Sequence, residues 1–272
     1  MKQILSIQSA VALGFVGNSV AAPVITKLGH KPILVDTMVL AAHPGYGLIA
    51  GGPASSDHFS AILTTLPKLG ALVEIDSLIT GYIGTHEQVD LIAALIDEWQ
   101  DIRSDAPYVL DPVLGDNGRL YVNSDIVQSM CKTLLTRAQI ITPNQFELAL
   151  LSGMEINNAT DADHAALTLL DRHVNLRAVV VTGINNDDGK IYDRLTEAEV
   201  QTAISYNKRP VGIAGGGDLL TAIFTSWLAS GASIATSFQV ASRDAHNIID
   251  SSKGHLEIAL FENLPALTPI TI

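Results

Sequence analysis

Short β-branched runs alternate along the chain with longer stretches whose apolar residues recur every three or four positions. The strand-like runs are Gln3–Ile7, Pro32–Val39, Leu78–Gly81, Tyr108–Asp111, Gln139–Thr142 and Ala178–Thr182. Most are dominated by Ile, Val and Leu, the pattern of strands covered on both faces. Helical spacing covers Gly17–Leu28, Ser55–Lys68, His86–Gln100, Ser124–Arg137, Asn144–Ser152, Asp161–His173, Gly217–Ser230 and Ile234–Ile249, with a short helix near His255. Asp161-Ala162-Asp163 reads as a helix start, and Gly29 and Gly153 as helix stops. Asn185–Gly189 is the most polar stretch, and with Lys190-Ile191-Tyr192 directly after it reads as a hairpin turn. This alternation predicts an α/β fold around a mostly parallel sheet. Without a Pro- or Ser-rich linker, a repeat or a low-complexity block, residues 1–272 read as one domain.

Composition narrows the partners. The chain has 272 residues, 47% of them apolar and 16% charged, which excludes a disordered tail. Its formal net charge is −12, with a pI near 4.9, so no basic surface is available for nucleic acid or anionic lipid. Mean hydropathy is high at +0.30. Even so, runs such as Ala178–Val181 and Trp227–Ala229 are far shorter than the ~20 apolar residues of a spanning helix. Met1 to Gln8 carries one positive charge and no long apolar block, so it reads as a first strand and not a signal peptide. The lone Cys131 forbids an internal disulfide or a Cys-based metal cluster. A cytoplasmic protein is the expectation.

In open α/β sheets, ligands bind beyond the carboxyl ends of the strands. Polar and Gly residues gather at those ends: Gln8-Ser9 and Gly14, then Ala42-His43-Pro44-Gly45-Tyr46-Gly47, Gly81-Tyr82-Ile83-Gly84, Asp111–Asp116, Thr142–Glu147 and Thr182-Gly183. The segment Gly212–Ala222 carries the strongest chemistry. Gly215, Gly216 and Gly217 let a backbone approach a phosphate, and a helix beginning there offers free N–H groups and the positive end of its dipole. Asp218 is then placed to accept an alcohol proton during phosphoryl transfer, or simply to cap the helix. No Gly-Lys-Ser/Thr follows, so this is not a Walker A loop. Asp111 and Asp116 form either part of a Mg²⁺ site, which needs only one or two carboxylates beside ATP, or an Asp/Asn/Gly turn. Glu147 is either a third carboxylate or the partner of Asn144 in a capping box. Among the histidines only His43 has a site-like context, and Cys131 reads as a core residue on a helix.

Taken in order, these segments resemble the pyridoxal kinases of the ribokinase-like superfamily. The likeness rests on Ile4–Ser9 with Gly14 and Val16–Ser19, His43–Tyr46, Gly81–Gly84, Asp111–Asp116, Gly118 with Leu120–Val122, Thr142–Glu147 and Gly216–Asp218, and spans nearly the whole chain. It implies a three-layer α/β/α fold with a small β lid, and transfer of phosphate from ATP to the 5′-hydroxymethyl group of pyridoxal, pyridoxine or pyridoxamine. By the resemblance, Asp218 is the catalytic base and Gly215, Gly216 and Gly217 are the anion hole. Ser9 meets the pyridine ring, and His43, Pro44, Gly45 and Tyr46 form the loop over the substrate. Asp111, Tyr121, Thr142, Glu147, Thr182 and the segment Arg209, Pro210, Val211, Gly212 match nucleotide-binding positions, and Asp116 and Glu147 match Mg²⁺ positions. K⁺ beside Mg²⁺, and a homodimer, are further implications.

The chain departs from the family pattern at three residues, and its stretch between Arg209-Pro210 and Gly215 is shorter than in many members of the family. Ala10 replaces the His of Gln-Ser-His, and Pro44 replaces the Thr of Asn-His-Thr-Gly. Gly216 stands where Thr, Ala or Val is usual, which makes the loop costlier to order. The first two motivate a hydroxymethylpyrimidine as an alternative acceptor, and the third a non-catalytic vitamer-binding sensor.

Overall fold

The computed structural model describes residues 1–186, 188–207 and 213–270. Its strands are β1 (Gln3–Leu13), β2 (Lys31–Ala42), β3 (Gly51–Pro53), β4 (Ser77–Thr80), β5 (Tyr108–Leu110), β6 (Gly115–Asp116), β7 (Arg119–Leu120), β8 (Ile140–Ile141), β9 (Ala178–Asn185), β10 (Lys190–Glu197) and β11 (Gln201–Asn207). The helices are α1 (Asn18–Lys27), α2 (Ser56–Lys68), α3 (Ala71–Glu74), α4 (His86–Ile102), α5 (Ser124–Ser129), α6 (Gln145–Ser152), α7 (Ala159–Arg172), α8 (Gly216–Ala229), α9 (Ile234–Ser251) and α10 (Leu260–Asn263).

Nine strands form one sheet in the order β11-β10-β9-β8-β5-β4-β1-β2-β3. The run from β9 to β2 is parallel, and β3, β10 and β11 add antiparallel edges. Successive side chains of a strand point to opposite faces, and here both faces are apolar. Leu5, Leu78, Leu110, Val179 and Val181 pack with α2 and α4 to α7, whereas Ile4, Ile79, Val109, Val180 and Ile140 pack with α1, α8 and α9. Each fully buried Val, Leu or Ile stabilises by about 1.5–3 kcal/mol relative to exposure, so apolar strands with no polar face select the middle layer. The result is the expected three-layer α/β/α arrangement. No described helix is long and apolar enough to cross a membrane.

Some local expectations change. β1 continues past Ile7 to Leu13, so Ser9 lies inside the strand, at a register shift against β2, and not after it. The predicted short helix near His255 forms later, as α10. Gly254 adopts φ +89° and turns the chain, and residues 256–258 pair with Ala214. The Ser124–Arg137 helix widens after Ser129, where Leu135 N–H reaches back to the Met130 carbonyl. β9 and β10 pair antiparallel, with Asn185 opposite Ile191, as the expected hairpin requires; Asp187, within the expected turn, lies outside the described residues.

Candidate active site

The carboxyl ends of the parallel strands bring most of the candidate residues to one edge. α8 begins at Gly216, with Gly215 as its N-cap in the left-handed region at φ +87°. Asp218 is therefore the third helical residue and not the cap, because the chain turns into the helix three residues earlier than a capping Asp requires. A Cβ on Gly215 would lie 2.3 Å from the Phe15 carbonyl oxygen. A Cβ on Gly217 would meet nothing within 4 Å, which leaves that backbone approachable. On Gly216 a Cβ would meet only the mobile end of Ile249, at 2.9 Å. Gly216→Ala thus removes unfolded-chain entropy at little steric cost, worth about 0.4–1 kcal/mol. Thermal denaturation is expected to show a Tm higher by roughly 1–4 °C, and a lower Tm would contradict this reading of the loop.

The backbone N–H groups of Gly17 and of Asp218 itself favour the ionised form of the Asp218 carboxyl. Burial nevertheless pushes its carboxyl above the ordinary aspartate range, and part of the residue still reaches solvent. The acid is poised nearer neutrality than a surface Asp. Asp111, directly after β5, is raised well above its usual range by burial and by the charges of Glu147 and Asp218. Thr221, on α8, donates to Asp111 Oδ2 at 3.1 Å and shares a 2.9 Å hydrogen bond with Thr142 after β8. One network therefore ties both of those strand ends to the anion-hole helix.

Glu147 forms the capping box of α6 with Asn144, and also clamps the loop after β5. Oε2 accepts the Asn144 N–H at 2.8 Å, and Oε1 accepts those of Leu114 at 3.0 Å and Gly115 at 3.4 Å. Burial still pushes its carboxyl up to about 8, with the three N–H donors pulling it back. An unfolded Glu titrates near ~4.3, so the folded chain holds this proton more tightly. The stability owed to neutral Glu147 is complete below about 4.3 and is lost as the pH rises through about 8. Without nucleotide, the Tm of the wild type relative to Glu147→Gln is expected to fall between pH 5 and pH 8. A pH-independent difference would contradict the assignment.

Asp116 closes the β6–β7 ribbon by accepting from the Asn117 N–H and side chain at 2.8 and 2.7 Å. Tyr121 follows the ribbon, half exposed, its phenol raised first by burial and then by Asp116 and Glu147. Thr182 donates its N–H to Pro143 O at 3.0 Å and bridges Asn144, which places it beside the Thr142 loop. Its neighbour Gly183 donates to Asp193, whose other oxygen accepts from Ser242 at 2.7 Å and lies 2.9 Å from His246 Nε2. Ser9 is buried against the start of α1. His43, Pro44, Gly45 and Tyr46 form a tight turn after β2, in which His43 Nδ1 accepts the Gly45 N–H at 3.1 Å. Arg209, Pro210, Val211 and Gly212 lie outside the described residues.

Sequence reasoning passed over Thr221 and Glu257, and placed Asn18 at the site edge beside Gly17 without giving it a role. Asn18 is buried at the start of α1, donates to Asp36 at 2.7 Å and accepts from Ser6 at 2.8 Å, which fixes the first strand ends to the helix. Its only signal was a polar residue directly after Gly17. Glu257 sits near the C-terminus, and its carboxylate reaches Phe15, Tyr46 and His43.

A family model described as phosphomethylpyrimidine kinase matches residues 60–257. The chain is 32% identical to a pyridoxine/pyridoxal/pyridoxamine kinase of Bordetella avium, over 88% of this chain and 82% of that one. Its fold superposes with a TM-score of 0.91 on the crystal structure of pyridoxal kinase from Entamoeba histolytica, at 28% identity, covering 97% of this chain and 95% of that one. Pyridoxal kinase from Leishmania donovani, solved with ADP and pyridoxine, matches with a TM-score of 0.88 and 26% identity over 97% of this chain and 94% of that one. Sequence and fold agree, and the chain belongs to the pyridoxal kinase family.

Proposed function

We propose that this chain transfers the γ-phosphoryl group of ATP to the 5′-hydroxymethyl group of a B6 vitamer: pyridoxal, pyridoxine or pyridoxamine. The observation that carries this is the start of α8, where Asp218 follows a glycine turn and its carboxyl is raised toward neutrality. Asp218 accepts the hydroxyl proton as that oxygen forms its bond to phosphorus. The bond from the γ-phosphorus to the β,γ-bridging oxygen breaks, and ADP leaves. The N–H groups of Gly215, Gly216 and Gly217 meet the charge on the phosphoryl group in flight, reinforced by the helix dipole. Ser9 and the His43–Tyr46 turn hold the pyridine ring. Asp111, Tyr121, Thr142, Thr182 and the segment Arg209–Gly212 hold the nucleotide. The whole chain acts as one catalytic domain, supported by a single large sheet with apolar layers on both faces.

Asp116 and Glu147 would hold Mg²⁺. The charge of Asp116 adds to the burial that raises Glu147, and the charges of Glu147 and Asp218 raise Asp111, which a cation would relieve. Among the described residues no three His, Cys, Asp or Glu side chains converge as a metal cage, as suits an ion completed by phosphates and water. When bound, Mg²⁺ would neutralise charge on the β- and γ-phosphates. K⁺ as a further activator belongs to the same reading, and so does a cytoplasmic location, consistent with the single cysteine.

The chain works as a homodimer. The end of β1, β2 and the loop before β3 expose Leu13, Val39, Leu48 and Ile49, at 59%, 50%, 80% and 72%, an apolar surface that suits a partner. Light scattering is expected to give a dimer mass for the wild type and a monomer mass for Leu48→Asp/Ile49→Asp. A wild-type monomer would rule the dimer out.

A hydroxymethylpyrimidine acceptor is the second reading, favoured by Ala10 and Pro44 in place of polar residues. ADP formation from Mg·ATP, with and without K⁺, separates the two when pyridoxal, pyridoxine and hydroxymethylpyrimidine are compared. Higher kcat/KM with a vitamer is expected. Turnover with the pyrimidine alone would move the activity to that substrate, and ligand binding without turnover would make the protein a sensor.

A further inference from the structure

We infer that Glu257 is a positioning residue that locks the vitamer loop, His43–Tyr46, to the anion-hole loop. The inference rests on the reading of that turn as the vitamer loop.

Glu257 arrives on a short extended segment after α9. The Ala214 N–H donates to Leu256 O at 3.4 Å, and the Ile258 N–H donates to Ala214 O at 3.1 Å. These backbone bonds join the segment to the residue just before Gly215. The Glu257 side chain is only 14% exposed. Its Oε2 accepts the Phe15 N–H at 3.0 Å, and its Oε1 accepts the Tyr46 hydroxyl at 3.2 Å. Phe15 in turn backs the anion hole, since its carbonyl is what a Cβ on Gly215 would strike. A continuous path runs from Tyr46 through Glu257 and Phe15 to Gly215.

His43 adds the charge logic. Its Nδ1 accepts the Gly45 N–H, so in the neutral ring Nε2 carries the proton. Nε2 is buried without a hydrogen-bond partner and faces Glu257 Oε2 at 3.4 Å. The ring also stands edge-on to Tyr46, with centroids 4.9 Å apart. Both sides of this contact are kept open by glycine. A Cβ on Gly14, at φ +99°, would lie 2.1 Å from Glu257 Oε2, and one on Gly45 would lie 2.5 Å from the His43 ring. A buried carboxylate with donors from two loops is costly to leave unpaired, and here it fixes one loop against the other.

The test uses the full-length protein and initial-rate ADP formation, varying pyridoxal and ATP separately. Glu257→Ala is expected to raise KM for pyridoxal about tenfold, as loss of hydrogen bonds to a charged group implies, with KM for ATP within about twofold. Tyr46→Phe is expected to raise it a few-fold, and the double variant no more than Glu257→Ala alone, because the two act through one contact. Glu257→Gln keeps an acceptor for Phe15 and should fall between. Amide hydrogen exchange is expected to quicken at Tyr46 and Gly47 in Glu257→Ala and stay unchanged in α8. Equal rises in both KM values with a lower Tm would make Glu257 merely structural, and additive effects or unchanged loop exchange would also overturn the inference. If the wild type turns over no vitamer, the functional reading fails instead, and the exchange measurement alone then decides whether Glu257 locks the loop.

Discussion

Asp218→Asn is expected to lower kcat for vitamer phosphorylation by about 10²–10⁴-fold, the usual contribution of a positioned general base. Asparagine keeps the shape of the side chain and still presents a carbonyl oxygen beside the Gly17 and local N–H groups. It cannot take the hydroxyl proton. Because the wild-type carboxyl is raised by burial, removing it also relieves a buried charge, so the Tm is expected to hold or rise while the rate collapses. Steady-state rates and thermal denaturation on the same preparations check both halves. A variant retaining wild-type kcat would remove Asp218 from the mechanism. A Tm falling with the rate would make it a structural residue.

Gly215→Ala should be nearly as damaging, for a different reason. At φ +87° an L side chain costs about 1–2 kcal/mol. The added Cβ would also press to 2.3 Å from the Phe15 carbonyl oxygen, which is backbone and cannot swing aside. The turn must shift, carrying the N–H groups off the transferring phosphoryl group. Loss of one such donor elsewhere is worth about 10²–10³ in kcat, and a fall of that size is expected here, with a lower Tm. Gly216→Ala, one residue along, meets only a side-chain methyl and supplies the control. Equal activity of the two variants would show that the glycine turn does not shape the anion hole.

The layers and the site edge were legible because β-branched runs and Gly or polar strand ends are local signals. Val179, Val180 and Val181 announce a strand covered on both faces, and Gly215–Asp218 announces a phosphate loop. Less visible were elements whose pairing is settled at long range. β11 reads Gln201-Thr202-Ala203-Ile204-Ser205-Tyr206-Asn207, an edge strand with too few apolar residues to stand out, and β3 is only Gly51-Gly52-Pro53. Ser9 reads as a strand end in sequence because polar residues begin there, yet β2 carries the pairing on to Leu13. The dual role of Glu147 was half visible: its spacing from Asn144 announces the capping box, but nothing local reveals the N–H groups of Leu114 and Gly115. Glu257 lies 211 residues from Tyr46 and 242 from Phe15, a separation that no periodicity reports.

The most direct test of phosphoryl transfer at this edge is a single-turnover experiment. Enzyme in excess over γ-labelled Mg·ATP is mixed with pyridoxal, and the label is followed by phosphorus NMR and mass spectrometry. Expected is the label on the 5′-oxygen of the vitamer in the wild type, and label remaining in ATP with Asp218→Asn. Label released as inorganic phosphate, or a labelled vitamer formed equally by both proteins, would contradict transfer through this site.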